Sequence, residues 1–170
     1  DSFDWLNALE GPPALQSGLA FVPALSGLAC PHWDRQARGV WVGLSIDHGK
    51  AEMMKSILEG IACRAAEVIG AMNALMPAAG PLSVDGGMSA NPYFTRFLAE
   101  VLERAVSVST NAELTGTGTA QLAALAFGQT AEVQASGGRG TAVTVSQQTP
   151  RGGLLETFAE AVKISRAWRR

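Results

Sequence analysis

From Met53 to Leu75 apolar residues return at steps of three and four, through Ile57, Leu58, Ile61, Ala65, Val68 and Met72. That period puts them on one face of a helix over residues 50–76, roughly 40 Å long at about 1.5 Å rise per residue. Gly60 and Gly70 interrupt it at a cost in helix propensity, so each is expected to mark tight packing against a neighbour. Glu59 lies on or near the buried face, where a carboxylate needs a partner or a water. A structural hydrogen bond is the expectation for it, ahead of catalysis.

The remaining pattern alternates strands and helices. Residues 1–9 carry Phe3, Trp5, Leu6 and Leu9 at helical spacing and end at Gly11-Pro12-Pro13. LAFVPAL, residues 19–25, has the composition of a buried strand closing on Pro23, and VWVGLS, residues 40–45, of a second, with Gly43 at a bulge or a close backbone approach. Between them SGLACPHWDRQARG is long and aromatic for a mere connection. Trp33 within it is expected in the core, and His32 is expected to be a hydrogen-bonded structural residue. After the break at 77–81, a strand ends at Val84 and a helix covers residues 93–103. A strand at 106–108 leads through a polar loop, NAELTGTGTAQ, into an Ala-rich helix ending at Gly128. Residues 131–140, rich in Ala, Ser and Gly, suggest a flexible connection, 141–145 a last strand, and 154–168 an amphipathic closing helix. The alternation predicts an α/β architecture, a mixed or parallel sheet covered by helices.

One stretch concentrates the candidate chemistry: LSVDGGMSANPYF, residues 82–94. It is a strand-to-helix turn in which Gly86 and Gly87 lack the Cβ atoms that would hold a flat ligand off the backbone. Asn91 can cap the following helix, and Pro92 suits its first position. A bare, donor-lined ledge beside a positive helix end suits a nucleotide, and α/β sheets bind ligands beyond the carboxyl ends of their strands. The same residues are also plain connection chemistry, so the turn by itself leaves both readings open. Gly116-Thr117-Gly118-Thr119 lacks the spacing and lysine of a phosphate loop and is better explained by close helix packing.

Composition narrows the classes. At 170 residues and 47% hydrophobic, the chain can bury a sizeable core, the size of one domain or half of a two-domain enzyme. Its net charge of -2 provides no basic field for nucleic acid, and Arg166, Arg169 and Arg170 suit a helix end. Cys30 and Cys63 form no CxxC pair and have no metal-ligand partners, as free thiols of a reducing cytoplasm would. No apolar run reaches the ~18 residues of a membrane span, and no signal peptide opens the chain. A first residue of Asp1 in place of Met is expected of a segment of something longer.

GVWVGLSIDHGKAEMMKSILE, residues 39–59, resembles the C-terminal signature of the FGGY carbohydrate kinases: a Gly-Leu pair, a spacer, then a polar-led helix ending in an acid. FVPALSGLACPHWD, residues 21–34, is most similar to the glycerol kinase branch through Pro31-His32-Trp33-Asp34, and VDGGMSAN, residues 84–91, resembles the family's adenosine-binding turn. The small-residue helix at 116–128 and the closing helix extend the likeness over most of the chain. The resemblance implies an actin-like, ribonuclease-H-like ATPase fold in two domains, with residues 1–170 the C-terminal nucleotide-binding domain and the N-terminal catalytic half absent. It implies ATP with Mg²⁺ on its phosphates, a polyol such as glycerol or a related sugar as acceptor, and a cytoplasmic enzyme inactive as this half alone. Gly87 and Asn91 take the adenosine-binding positions, with Gly86 beside them, while Asp4 before Trp5 replaces the family's glutamine near the nucleotide. An apolar face left by the missing half would be open to a second copy. A ketose or sugar-acid kinase, or a non-catalytic nucleotide-binding module of the same superfamily, fits the same residues.

Overall fold

In the computed structural model, residues 4–77, 80–111, 113–128, 142–143 and 153–168 are described. The long apolar period becomes α1, Lys50–Leu75, which packs chiefly on α2, Pro92–Leu102, and on β1, Ala20–Val22. Its buried stripe is small and polar, including Ser56, Glu59, Gly60, Ala62 and Cys63, because two elements press on it closely. A Cβ added at Gly60 would lie 2.0 Å from the carbonyl oxygen of Phe21, so this glycine is the packing contact expected. Gly70 is not: among the described residues outside its own helix, nothing lies within 4 Å of its added Cβ.

β1 is wholly buried and pairs antiparallel with β2, Val40–Val42, setting Phe21 opposite Trp41 with ring centroids 4.5 Å apart. Gly43 follows at φ +78, where a Cβ would meet the Gly18 carbonyl oxygen at 2.1 Å, so the close approach is real. A second sheet has the order β3-β4-β5, with β3 (Leu82–Val84) parallel to β4 (Val106–Val108) and β5 (Ala142–Val143) antiparallel to β4. The one sheet expected is thus two, of two and three strands, among the described residues. α4, Leu154–Ala167, packs against β1 and β2, and Phe158 on it joins Val22, Phe97 and Val106 in the core. Burying such side chains contributes about 1.5–3 kcal/mol each.

Four further expectations need correction. Trp33 is 76% exposed at φ +49, outside the core. Its neighbours are tied down: His32 Nε2 lies 2.9 Å from Glu67 Oε1, Arg64 binds Glu67 and donates to the Cys30 carbonyl, and Asp34 accepts from Arg166 at 3.2 Å. Leu28 and Asp34 exchange backbone hydrogen bonds of 2.8 Å, and Trp33 is left outside that closed loop. His32 is the structural residue expected. The opening segment is a 3-10 helix, Asp4–Ala8, with no buried residue, since Gly11-Pro12-Pro13 prevents a longer one. NAELTGTGTAQ is not a loop throughout, because α3 runs Leu114–Ala126. Within it Thr117 and Thr119 donate to the carbonyls of Glu113 and Thr115, the back-bond a helical hydroxyl makes to the preceding turn. No residue of α3 is buried, and among the described residues nothing lies within 4 Å of a Cβ at Gly116 or Gly118, so the expected close packing is not seen. The connection at 131–140 and most of the last strand, 141–145, lie outside the described residues.

Candidate functional site

Because β3 and β4 run parallel and side by side, their carboxyl ends share one rim, where Ser109 donates its N–H to the Val84 carbonyl at 2.8 Å. Asp85-Gly86-Gly87 leaves β3 at that rim. Gly86 has φ +88 and ψ 171, a conformation that essentially only glycine adopts. It turns the chain into a 3-10 helix, Gly87–Ala90, whose Ser89 hydroxyl donates to the Gly86 carbonyl at 2.7 Å. Among the described residues an added Cβ at Gly86 or Gly87 would meet nothing within 4 Å beyond its chain neighbours, so the backbone of this turn is uncovered by them.

Asn91 caps α2 as expected: its Oδ1 accepts from the Phe94 N–H at 2.9 Å, with Pro92 at the first helical position. The other half of its side chain was not anticipated. Nδ2 donates to the Leu6 carbonyl at 2.9 Å and lies 3.3 Å from Asn7 Oδ1, so Asn91 also fastens the opening segment beside the ledge.

Behind the first turn of α2 is a second polar cluster. Glu59 is 1% exposed, and its carboxylate accepts 2.8 Å bonds from the backbone N–H groups of Ala14 and Leu15 and a third from the Tyr93 hydroxyl. Burial raises the Glu59 pKa above the usual carboxylate range, against the pull of those donors and of Lys55. Burial and the Glu59 charge push the Tyr93 phenol up in turn, so it stays a donor. Glu59 is therefore the structural hydrogen-bonding group expected, whereas Tyr93 was passed over. The available signal was a tyrosine, the only one in the chain, in the first turn of the helix that follows the ledge.

The other arrangements offer less chemistry. A hollow of about 460 Å³ lies between Pro12, Pro13, Ser17, His48 and Lys55. There His48 Nδ1 accepts from the Ser45 N–H at 3.0 Å, so Nε2 carries the hydrogen toward Ser17 Oγ at 3.2 Å, while Ser17 donates to Ala14. That is the wrong tautomer for a base activating a serine. Among the described residues no three His, Cys, Asp or Glu side chains converge to hold a metal, and both cysteines are free thiols. No helix is long and apolar enough to cross a membrane among those residues.

Residues 4–127 match the model of the FGGY family of carbohydrate kinases, C-terminal domain. The chain is 40% identical over 128 residues to the glycerol kinase of Alkalilimnicola ehrlichii, covering 75% of this chain and 26% of that protein. It is 38% identical over 133 residues to the apulose kinase of Pectobacterium atrosepticum, covering 71% of this chain and 27% of that one. Among solved structures, the glycerol kinase of Plasmodium falciparum with ADP aligns with 97% of this chain and 34% of its own, at a TM-score of 0.74 and 26% identity. Xylulose kinase from Rhodospirillum rubrum shares the fold over 96% of this chain and 32% of its own, at a TM-score of 0.68 and 22% identity. The two sheets and their helices thus form the actin-like, ribonuclease-H-like arrangement anticipated. The chain spans about a quarter of the length of the curated relatives it matches.

Proposed function

Since the chain belongs to the FGGY family of carbohydrate kinases, as its C-terminal domain, we propose that it is the nucleotide-binding half of an ATP-dependent kinase acting on glycerol or a related polyol. The observation that carries this reading is the unobstructed turn at Gly86 and Gly87, on the rim of two parallel strands and next to a capped helix. In it Gly86 and Gly87 form the floor under the adenosine and Asn91 its edge, with the Asn91 side chain holding the neighbouring segment in place. The ADP named with the Plasmodium relative supports an adenine nucleotide.

Phosphoryl transfer is mainly positioning and neutralisation of charge. This half would position the purine end of the nucleotide; the base that takes the acceptor's proton and the acceptor site would belong to the other half. Mg²⁺ belongs to the reading as an ion carried on the nucleotide phosphates, the usual way Mg²⁺ serves a kinase site. A cytoplasmic location accords with the free thiols Cys30 and Cys63.

The apulose kinase relative, nearly as similar as the glycerol kinases, favours a second reading in which the acceptor is a different sugar. Two measurements on the full-length protein test both readings. Calorimetry should show ADP binding that Gly87→Val weakens, and a panel of glycerol, apulose, xylulose and gluconate with ATP should show one preferred acceptor. No ADP binding by that protein removes the nucleotide site, and turnover of a sugar but not of glycerol selects the second reading.

A further inference from the structure

The ledge ends where α2 begins, so whatever fixes the first turn of α2 also fixes the ledge. Two side chains hold that turn from outside. Asn91, the cap, reaches the Leu6 carbonyl, and Tyr93, two residues on, donates to Glu59 on α1. Glu59 is itself held from the far side by the N–H groups of Ala14 and Leu15, so it cannot follow Tyr93 if α2 shifts. The Tyr93 ring is 2% exposed and lies nearly parallel to Phe97 at 6.4 Å between centroids, with Lys55 and Arg96 over it at 5.8 and 5.4 Å. A buried tyrosine whose hydroxyl ends on a buried carboxylate is costly to assemble, because both polar tips must leave water. A phenylalanine on an apolar partner would fill the space without that cost.

We propose that Glu59 and Tyr93 are positioning residues for the nucleotide ledge: their bond sets the first turn of α2, and through it the placement of Gly86, Gly87 and Asn91 under the adenosine. This rests on the nucleotide-site reading above. Neither residue touches the nucleotide. Their bond fixes the direction of the turn, which packing alone defines less sharply, and small misplacements of a binding surface are felt strongly in affinity.

The test uses the full-length protein and four variants, Tyr93→Phe, Glu59→Gln, the double variant and Gly87→Val, with ADP dissociation constant, ATP KM, kcat and Tm measured for each. Tyr93→Phe keeps the ring and its packing, so it folds even if Glu59→Gln does not. It should raise the ADP Kd and the ATP KM roughly five- to tenfold with kcat within about twofold. Where Glu59→Gln folds, the double variant should bind ADP no more weakly than the weaker single variant, since both break one bond. If Gly87→Val weakens ADP binding and Tyr93→Phe lowers only Tm, the positioning role is refuted while the site stands. If Gly87→Val leaves ADP binding unchanged, the site falls and this inference with it.

Discussion

Gly60 and Gly87 are the same residue put to opposite uses. At Gly60 the missing side chain makes room for protein: the Phe21 carbonyl of β1 occupies the space, 2.0 Å from where a Cβ would stand. At Gly87, and at Gly86 before it, an added Cβ would meet nothing within 4 Å among the described residues beyond its chain neighbours. The first lets a strand lie directly on α1, and its effect is on stability. The second packs against no described residue, and under the proposed nucleotide site that clearance is left for the ligand. A glycine's role is therefore decided by what fills the place of its side chain.

The largest break in this comparison is Gly60→Ala. Forcing a methyl group against a backbone carbonyl should destabilise the protein by about 3 kcal/mol, the upper range of overpacking, read as a lower urea midpoint with little change in m. Glu59→Ala comes next, at roughly 2–3 kcal/mol, because it strands the N–H groups of Ala14 and Leu15 and the Tyr93 hydroxyl.

Gly87→Val should reverse the pattern, changing stability by less than about 0.5 kcal/mol at this exposed position. Its ADP affinity should fall about tenfold, near 1.4 kcal/mol. Equal losses of stability at Gly60 and Gly87 would erase the distinction. Gly70→Ala should be the smallest change and a gain of about 0.5–1 kcal/mol, because it repairs an exposed helix position where an added methyl meets no described residue.

Glu59 adds a pH signature to the packed side. Its carboxyl pKa is raised in the fold, chiefly by burial, so its contribution is full below the unfolded value of about 4.3 and is lost as pH rises through the raised value. Glu59→Gln cannot ionise. The stability advantage of the native protein over that variant should therefore shrink as pH rises from about 4 toward neutrality. Urea midpoints of the two proteins across that range check it, and an advantage that widens would mean the three donors outweigh burial.

Much of the scaffold was legible from neighbouring residues. The three- and four-residue period announced α1, Asn91-Pro92 announced the start of α2, and Gly43 announced a close approach. The turn at Gly86-Gly87 was legible too, since paired glycines permit the positive φ that Gly86 adopts. Trp33 was misplaced because an indole is apolar and large, while its exposure depends on ion pairs with α1 and α4. The residue pattern put NAELTGTGTAQ in a loop because small and hydroxyl residues favour loops, whereas the helix that the resemblance places at 116–128 already begins at Leu114.

What the order of residues determined by itself was local: periods, caps, the conformational freedom of Gly86 and the membership in a family carried by contiguous motifs. Such features depend on residues within a turn or two of each other, and their energetics are complete at that range. Only the tertiary structure decided that Glu59 meets residues 44 and 45 positions before it and one 34 positions after it, and that Asn91 reaches back 85 positions to Leu6. A buried polar group takes whichever donors the packed elements bring within about 3 Å, and distance along the chain carries no record of that meeting.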